Sequence, residues 1–232
     1  MVGGLTLITP TGGRPEAFAL CERWISRQTY TGPLEWLCSD DFRPQTICTM
    51  GQEIHHPPWI WQPGQNTQAA NLRMLLEHVR HDKILFIEDD DVYLPDYLEE
   101  MSYYLDLHPI TGEGNAHYYN VARRAYLECG NIGHASLCQT GIRAELIPKL
   151  QFILAAARGF IDLNLWRLAR HPEGVFFGRG LCVGIKGLPG RGGIGCGHRR
   201  DTAMFRDPDG QVLRRWIGDD AELYAKYGEL AA

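Results

Sequence analysis

The segment Lys83-Ile84-Leu85-Phe86-Ile87 runs without interruption into four consecutive acids, Glu88-Asp89-Asp90-Asp91. A short, continuous apolar run reads as a strand covered on both faces, the signature of a central strand in a parallel sheet. Burying four carboxylates without partners would be prohibitively costly, so the quartet must meet solvent, cations or a ligand where the strand ends. Acids at such a position also suit the N-terminus of a following helix, which is the bland alternative. In open α/β sheets, however, ligands bind beyond the carboxyl ends of the strands, and the quartet lies at such an end.

The flanking sequence repeats the alternation. Leu5-Thr6-Leu7-Ile8 reads as a first strand, followed by the turn Thr9-Pro10-Thr11-Gly12-Gly13-Arg14-Pro15 and a helix over 16–28. Proline is well placed at a helix start, where its missing N–H costs nothing. Leu34-Glu35-Trp36-Leu37-Cys38 is a second strand ending at Ser39-Asp40-Asp41, and 42–64 is irregular and rich in Pro and Trp. Helices are expected over 66–80, 95–105, 144–157 and 160–169, a strand over 175–185, and a C-terminal helix over 211–229 anchored by Trp216, Tyr224 and Tyr227. Strands alternating with helices over short connections predict an α/β fold with a mostly parallel central sheet flanked by helices. The 232 residues suit one domain able to bury its own core.

Seven cysteines, an odd number without a CxxC pair, argue against a disulfide framework or a zinc knuckle and for a reducing compartment. No basic leader precedes an apolar segment, and no apolar stretch approaches the ~20 residues needed to span a bilayer. A cytoplasmic protein without a membrane partner is therefore expected. The net charge of -5 disfavours a surface coated with nucleic acid. Charge is nevertheless uneven. Between Leu165 and Arg200 lie seven basic residues against the single acid Glu173, a local formal charge of +6 that predicts an anionic ligand.

Several pieces together resemble the family 2 glycosyltransferases with the GT-A fold. FIEDDDVYLPDYL is similar to their acidic DxD segment, LITPTGGRP to their first nucleotide-binding loop, LCSDD to the end of their second strand, and NTQAANLRMLLEHV to their following helix. The resemblance covers 5–100 well and the remainder more weakly. It implies a Rossmann-like nucleotide-diphospho-sugar transferase domain spanning 1–232, with a nucleotide-sugar-binding half over 1–100 and an acceptor half over 101–232. It further implies that Thr9, Pro10, Thr11, Gly12, Arg14, Asn71 and Arg73 bind the nucleotide sugar. Asp40 or Asp41 would meet the base, and Glu88 and Asp89 would lie near the ribose. Asp90 or Asp91 would hold Mn²⁺ or Mg²⁺, hard cations that take carboxylate and phosphate oxygens. The first acid is Glu where the family usually has Asp.

In the second half, GFIDLNLWRL is similar to the family's second signature, which carries the catalytic base onto Asp162; capping of a helix by Asp162 is the alternative. His198, in a glycine-rich setting, is a candidate third metal ligand. Lys186, Arg191 and Arg199 in and around the Gly-rich segment would neutralise a leaving diphosphate, although the segment lacks the Gly-Lys-Ser/Thr ending of a P-loop. Gln139-Thr140-Gly141 is either an acceptor contact or a turn, and Trp59 and Trp61 are more simply packing residues. The expected chemistry is metal-dependent, inverting transfer of a hexose such as glucose from a UDP-sugar to a hydroxyl. The style of the second half is similar to small bacteriophage glycosyltransferases, which suggests a DNA acceptor, 5-hydroxymethylpyrimidine, and the cytoplasm of a bacterial host. Surface-glycan or protein hydroxyls are alternative acceptors. Rival readings are a nucleotidyltransferase or phosphohydrolase using the same acids, and an inactive nucleotide- or sugar-binding module.

Overall fold

A computed structural model describes residues 2–156, 160–193, 195–198 and 202–228. The first sheet contains seven strands: β1 (Val2–Thr11), β2 (Leu34–Asp40), β3 (Glu53–His55), β4 (His81–Phe86), β6 (Ile110–Glu113), β9 (Thr140–Arg143) and β10 (Val175–Phe176). Their spatial order is β10-β6-β9-β4-β1-β2-β3, with β1, β2, β3 and β4 mutually parallel and β9 antiparallel to both of its neighbours. The second sheet has five strands: β5 (Val92–Tyr93), β7 (Asn115–Asn120), β8 (Ala125–Gly130), β11 (Cys182–Lys186) and β12 (Phe205–Arg206), ordered β12-β8-β7-β11-β5. The helices are α1 (Pro15–Ile25), α2 (Gln68–Leu76), α3 (Tyr97–Leu107), α4 (Ile147–Ala155), α5 (Ile161–Ala169), α6 (Gln211–Ile217) and α7 (Ala221–Ala225).

Period-two alternation along the central strands divides the core into two layers. Ile8, Ile84 and Phe86 face α2, α4 and α5 through Leu72, Leu75, Leu150 and Leu165. Leu5, Leu7, Leu85 and Ile87 face α1 and α3 through Phe18, Tyr97, Met101 and Leu105. A third cluster joins the second sheet to α1 and the C-terminal helices, with Val183 and Ile185 against Leu213 and Tyr224. The expected anchors are present there: Trp24 donates to the Tyr224 hydroxyl at 3.1 Å, Tyr227 donates to Glu16 at 2.7 Å, and Trp216 stacks on His117.

Three expectations change. The segment 175–185 is two strands in different sheets, β10 and β11, broken at Gly180, which takes a positive φ of 80°. The C-terminal helix is divided at Gly218, whose φ of 67° a side chain would resist. The irregular 42–64 stretch contains the short parallel edge strand β3. Residue 157 of the expected 144–157 helix lies outside the described residues, and a 3₁₀ turn over Ala144–Leu146 precedes α4. All seven cysteines are free, and among the described residues no helix is long and apolar enough to cross a membrane.

The sheet positions the site. β1, β2 and β4 are adjacent and parallel, with Thr11 opposite Asp40 and Ile8 opposite Phe86, so their carboxyl ends open on one edge. Leu85 is fully buried at the centre of this arrangement. Leu85→Ala is expected to lower unfolding free energy by about 2–5 kcal/mol, measured by chemical denaturation at constant denaturant slope.

Candidate active site

Beyond those strand ends lies a cavity of about 480 Å³. Its wall includes Pro10, Thr11, Gly12 and Arg14 from the β1–α1 loop, Glu88, Asp89 and Asp90 from the end of β4, and Asp162 from the first turn of α5. Lys186, Arg191 and His198 enter from β11 and the Gly-rich segment after it. Residues far apart in sequence thus share one concave surface, the arrangement expected of a ligand site.

The β1–α1 turn is shaped by glycine. Gly12 and Gly13 have φ of 144° and 70°, and a Cβ on Gly12 would come within 2.4 Å of the Asp41 carboxylate. This close turn lets Thr11 and Arg14 reach the quartet. Asp89 accepts from the Thr11 hydroxyl at 2.8 Å and from Arg14 Nη1 at 2.9 Å, while Arg14 Nη2 reaches Asp90 at 2.5 Å. Glu88 accepts from Gln68 Nε2 at 3.2 Å. Asp91 lies behind the cavity wall, fully buried, and accepts from the Ile185 N–H at 2.8 Å and Lys186 Nζ at 3.1 Å.

The electrostatics differ along the quartet. Burial would push Asp90 up, but the Arg14 guanidinium and Lys186 overcome it and hold the carboxyl down at about 2. Burial and the neighbouring Asp91 push Glu88 up to about 8, with the charge of Asp162 contributing in the same direction. Burial likewise raises Asp91 to about 6 against the opposing pull of Lys186. Asp89 is also raised by burial, with Arg14 opposing. His198 is depressed to about 3 by burial and by Lys186, so its imidazole is neutral, the form that ligates metals.

Glu88, Asp90 and Asp91 each place a carboxylate oxygen within 4.8 Å of the others, and His198 Nε2 lies 3.9 Å from Asp90 Oδ2. A set of hard oxygen donors with one neutral imidazole fits Mn²⁺ or Mg²⁺. His198 depends on its glycine setting: a Cβ on Gly193 would fall 2.6 Å from His198 Nε2. The Gly-rich segment also packs on the first loop, since a Cβ on Gly190 would lie 2.4 Å from the Gly13 carbonyl oxygen.

Asp162 lies in the first turn of α5, but the N-cap is Phe160, in a left-handed conformation. The carboxyl of Asp162 is raised by burial, which the Leu163 N–H, His134 and its own N–H only partly offset. A carboxylate so placed accepts a proton more readily than an exposed one.

Other expected contacts are engaged elsewhere. The Thr9 hydroxyl accepts from Trp36 Nε1 at 2.9 Å. Asp40 collects the backbone N–H groups of Phe42 and Thr46. Asp41 accepts from Thr67, from Asn71 Nδ2 at 2.7 Å and from Arg191 Nη1 at 2.8 Å. Asn71 also accepts from Trp59 at 3.0 Å, Trp61 lies against Arg191, and Arg73 is exposed on α2 away from the cavity. Gln139 donates to the Asn115 carbonyl, and Thr140 accepts from Trp166. Arg199 lies outside the described residues. The local basic excess is divided: Lys186 and Arg191 are in ion pairs within the site, Arg179 pairs with Asp96, and Arg167 and Arg170 are exposed on α5 and at its end. Cavity-lining residues without a sequence signal include Asn66, Tyr118, Asn131, His134 and the exposed Phe160.

No protein-family profile matches the chain, and no curated protein sequence matches it. Solved structures do. The chain is similar to Staphylococcus aureus TarS 1-349 in complex with UDP, with a TM-score of 0.56 at 12% identity over 78% of this chain and 60% of that one. It is similar to TarS 1-349 in complex with UDP-GlcNAc, with a TM-score of 0.54 at 13% identity over 82% and 59% respectively. The longer TarS structure gives a TM-score of 0.54 at 12% identity, with 79% of this chain and 37% of that chain covered. The chain thus spans 37–60% of the length of these three TarS structures. This likeness establishes the GT-A fold.

Glu88 connects site and stability. Its folded-state carboxyl sits near 8 against an ordinary 4.5, so the folded protein keeps a proton that the unfolded chain releases. This contribution is fully present below pH 4.5 and is lost as pH rises through about 8. Glu88→Gln should flatten that part of the stability–pH profile, measured by denaturation without divalent cations.

Proposed function

We propose that this chain is a metal-dependent, inverting glycosyltransferase that moves a hexose from a UDP-sugar to a hydroxyl acceptor. The observation that carries the reading is that three acids of the quartet, Glu88, Asp89 and Asp90, a neutral histidine and a raised carboxylate, Asp162, line a single cavity of a GT-A fold. The TarS structures with UDP and UDP-GlcNAc support a uridine-diphosphate donor at low identity. Residues 1–100 would bind the nucleotide sugar and 101–232 would present the acceptor.

Pro10, Thr11, Gly12 and the amide side chains of Gln65, Asn66 and Gln68 provide the surface for the nucleoside. With Asp41 saturated by its protein partners, these amides are the better candidates for reading the base. Glu88, Asp90, Asp91 and His198 would hold Mn²⁺ or Mg²⁺, which neutralises charge on a leaving diphosphate. Asp162 orients the acceptor hydroxyl and takes its proton. As the acceptor oxygen bonds to the anomeric carbon, the bond from that carbon to the diphosphate oxygen breaks, inverting the centre through an oxocarbenium-like transition state. Arg14 holds Asp89 and Asp90 in position, and Arg191 ties the Gly-rich segment over the site.

The acceptor is proposed as a hydroxyl in the half of the cavity lined by Tyr118, Asn131, His134, Ser136 and Phe160. A 5-hydroxymethylpyrimidine in DNA belongs in the acceptor panel beside glycan and protein hydroxyls. The test is nucleoside diphosphate release from UDP-sugars with Mn²⁺ or Mg²⁺, with and without each acceptor. Asp162→Asn should lower kcat by about 10²–10⁴-fold while UDP binding persists, and Asp90→Ala should remove the cation-dependent turnover. Release of pyrophosphate from a nucleoside triphosphate would instead identify a nucleotidyltransferase, and tight UDP binding without turnover on any acceptor would identify a binding module.

A further inference from the structure

Asp91 has a second neighbourhood that the proposed transfer does not use. Its Oδ1 is satisfied by the Ile185 N–H and Lys186, but Oδ2 is buried without a hydrogen-bond partner. The Cys138 thiol, a weak donor, lends the carboxylate only slight support. A buried carboxylate oxygen left in this condition is costly and marks a place where a ligand would be stabilising. Two thiols converge on it. Cys138 comes from the 3₁₀ turn Leu137–Gln139, and Cys182 is the first residue of β11. One donor atom each from Asp91, Cys138 and Cys182 lies within 4.8 Å of the others. Both cysteines are free and buried, and Cys138 also lines the cavity.

We propose that Asp91, Cys138 and Cys182 form a site for a thiophilic divalent cation such as Zn²⁺, separate from the carboxylate face that Mn²⁺ or Mg²⁺ would occupy. Three arguments support it. Paired sulfur donors select Zn²⁺ and Cd²⁺ over Mg²⁺ and Mn²⁺, whose preference is for oxygen. Charge also balances. Asp91 and Lys186 cancel each other while the thiols are protonated. One dication entering as the two thiols release their protons leaves the total charge of this buried group unchanged, so no net charge is buried. Finally, three protein donors with Cys138 open to the cavity leave a fourth position for water or a ligand oxygen, as in open tetrahedral sites. Lys186 would remain bonded to Asp91 as an outer partner that orients the carboxylate. Because Asp91 belongs to both donor sets, filling the thiol site weakens binding at the oxygen site.

The test is titration of the reduced, metal-free protein with Cd²⁺, following the ultraviolet thiolate-to-metal charge-transfer band and proton release in weak buffer. Saturation at one Cd²⁺ per chain is expected, with release of two protons, competition by Zn²⁺ and no competition by Mg²⁺. Folded Cys138→Ser and Cys182→Ser variants should lose the band, whereas Cys48→Ser should keep it. In the wild type, Zn²⁺ should protect Cys138, the thiol on the cavity wall, from alkylation by N-ethylmaleimide, mapped by peptide mass spectrometry. A band unchanged in both variants, or unaltered alkylation of Cys138 under saturating Zn²⁺, would overturn the assignment. Neither readout depends on glycosyl transfer, so failure of the proposed enzyme function leaves this test intact.

Discussion

Three buried carboxylates beyond the end of β4, Asp89, Asp90 and Asp91, are tolerable only because cations meet them from both sides. Arg14 reaches Asp89 and Asp90 from the β1–α1 loop, and Lys186 reaches Asp91 from β11. These contacts do more than balance charge. Arg14 follows β1 of the seven-stranded sheet, whereas Lys186 ends a strand of the five-stranded one, so the quartet is where the two sheets are tied together. Removing one member of a buried pair leaves an uncompensated charge, at a cost of about 3–5 kcal/mol. Replacing both members with apolar groups can cost little. Stability alone therefore does not require this arrangement.

The central strand and the acids at its end were legible in the sequence because both follow from local pattern: an apolar run too short for a helix, then a cluster that cannot be buried alone. The second sheet was not. Of its strands only β11 overlaps an expected one, and it pairs in parallel with β7 and antiparallel with β5, partners that no local periodicity encodes. The same limit explains why 175–185 reads as one strand. Val175 and Cys182 lie in different sheets, and only the conformation of the glycines between them separates the two.

Part of the cavity wall was legible too. Arg14, Asp90 and Asp162 were marked by the family resemblance, Lys186 and His198 by their glycine-rich basic setting, and all five line the cavity. Asp40 and Asp41 show where such reading stops. An acid at a strand end looks the same whether it awaits a base or holds a loop. Here Asp40 gathers the N–H groups of Phe42 and Thr46, and Asp41 gathers Thr67, Asn71 and Arg191. Net charge was equally ambiguous. The basic excess between Leu165 and Arg200 reads as one anionic-ligand surface, but its members divide between internal ion pairs and an exposed helix face.

Arg191 unites these observations. Glycines let the segment after β11 approach Gly13 closely and make room for His198. Glycine alone would leave such a segment with many conformations. Arg191 restricts them by bonding to Asp41 and Thr67 while lying over Trp61. The acid at the end of β2 thus acts on the site indirectly. It fixes the segment that carries His198, and His198 in turn faces Asp90. A side chain that would read as a ligand contact becomes the anchor of a wall of the cavity. Ion pairs between loops thus set part of the shape of the cavity. Binding an anionic ligand there would require those pairs to exchange partners, with Arg14, Lys186 and Arg191 the cations already on the wall.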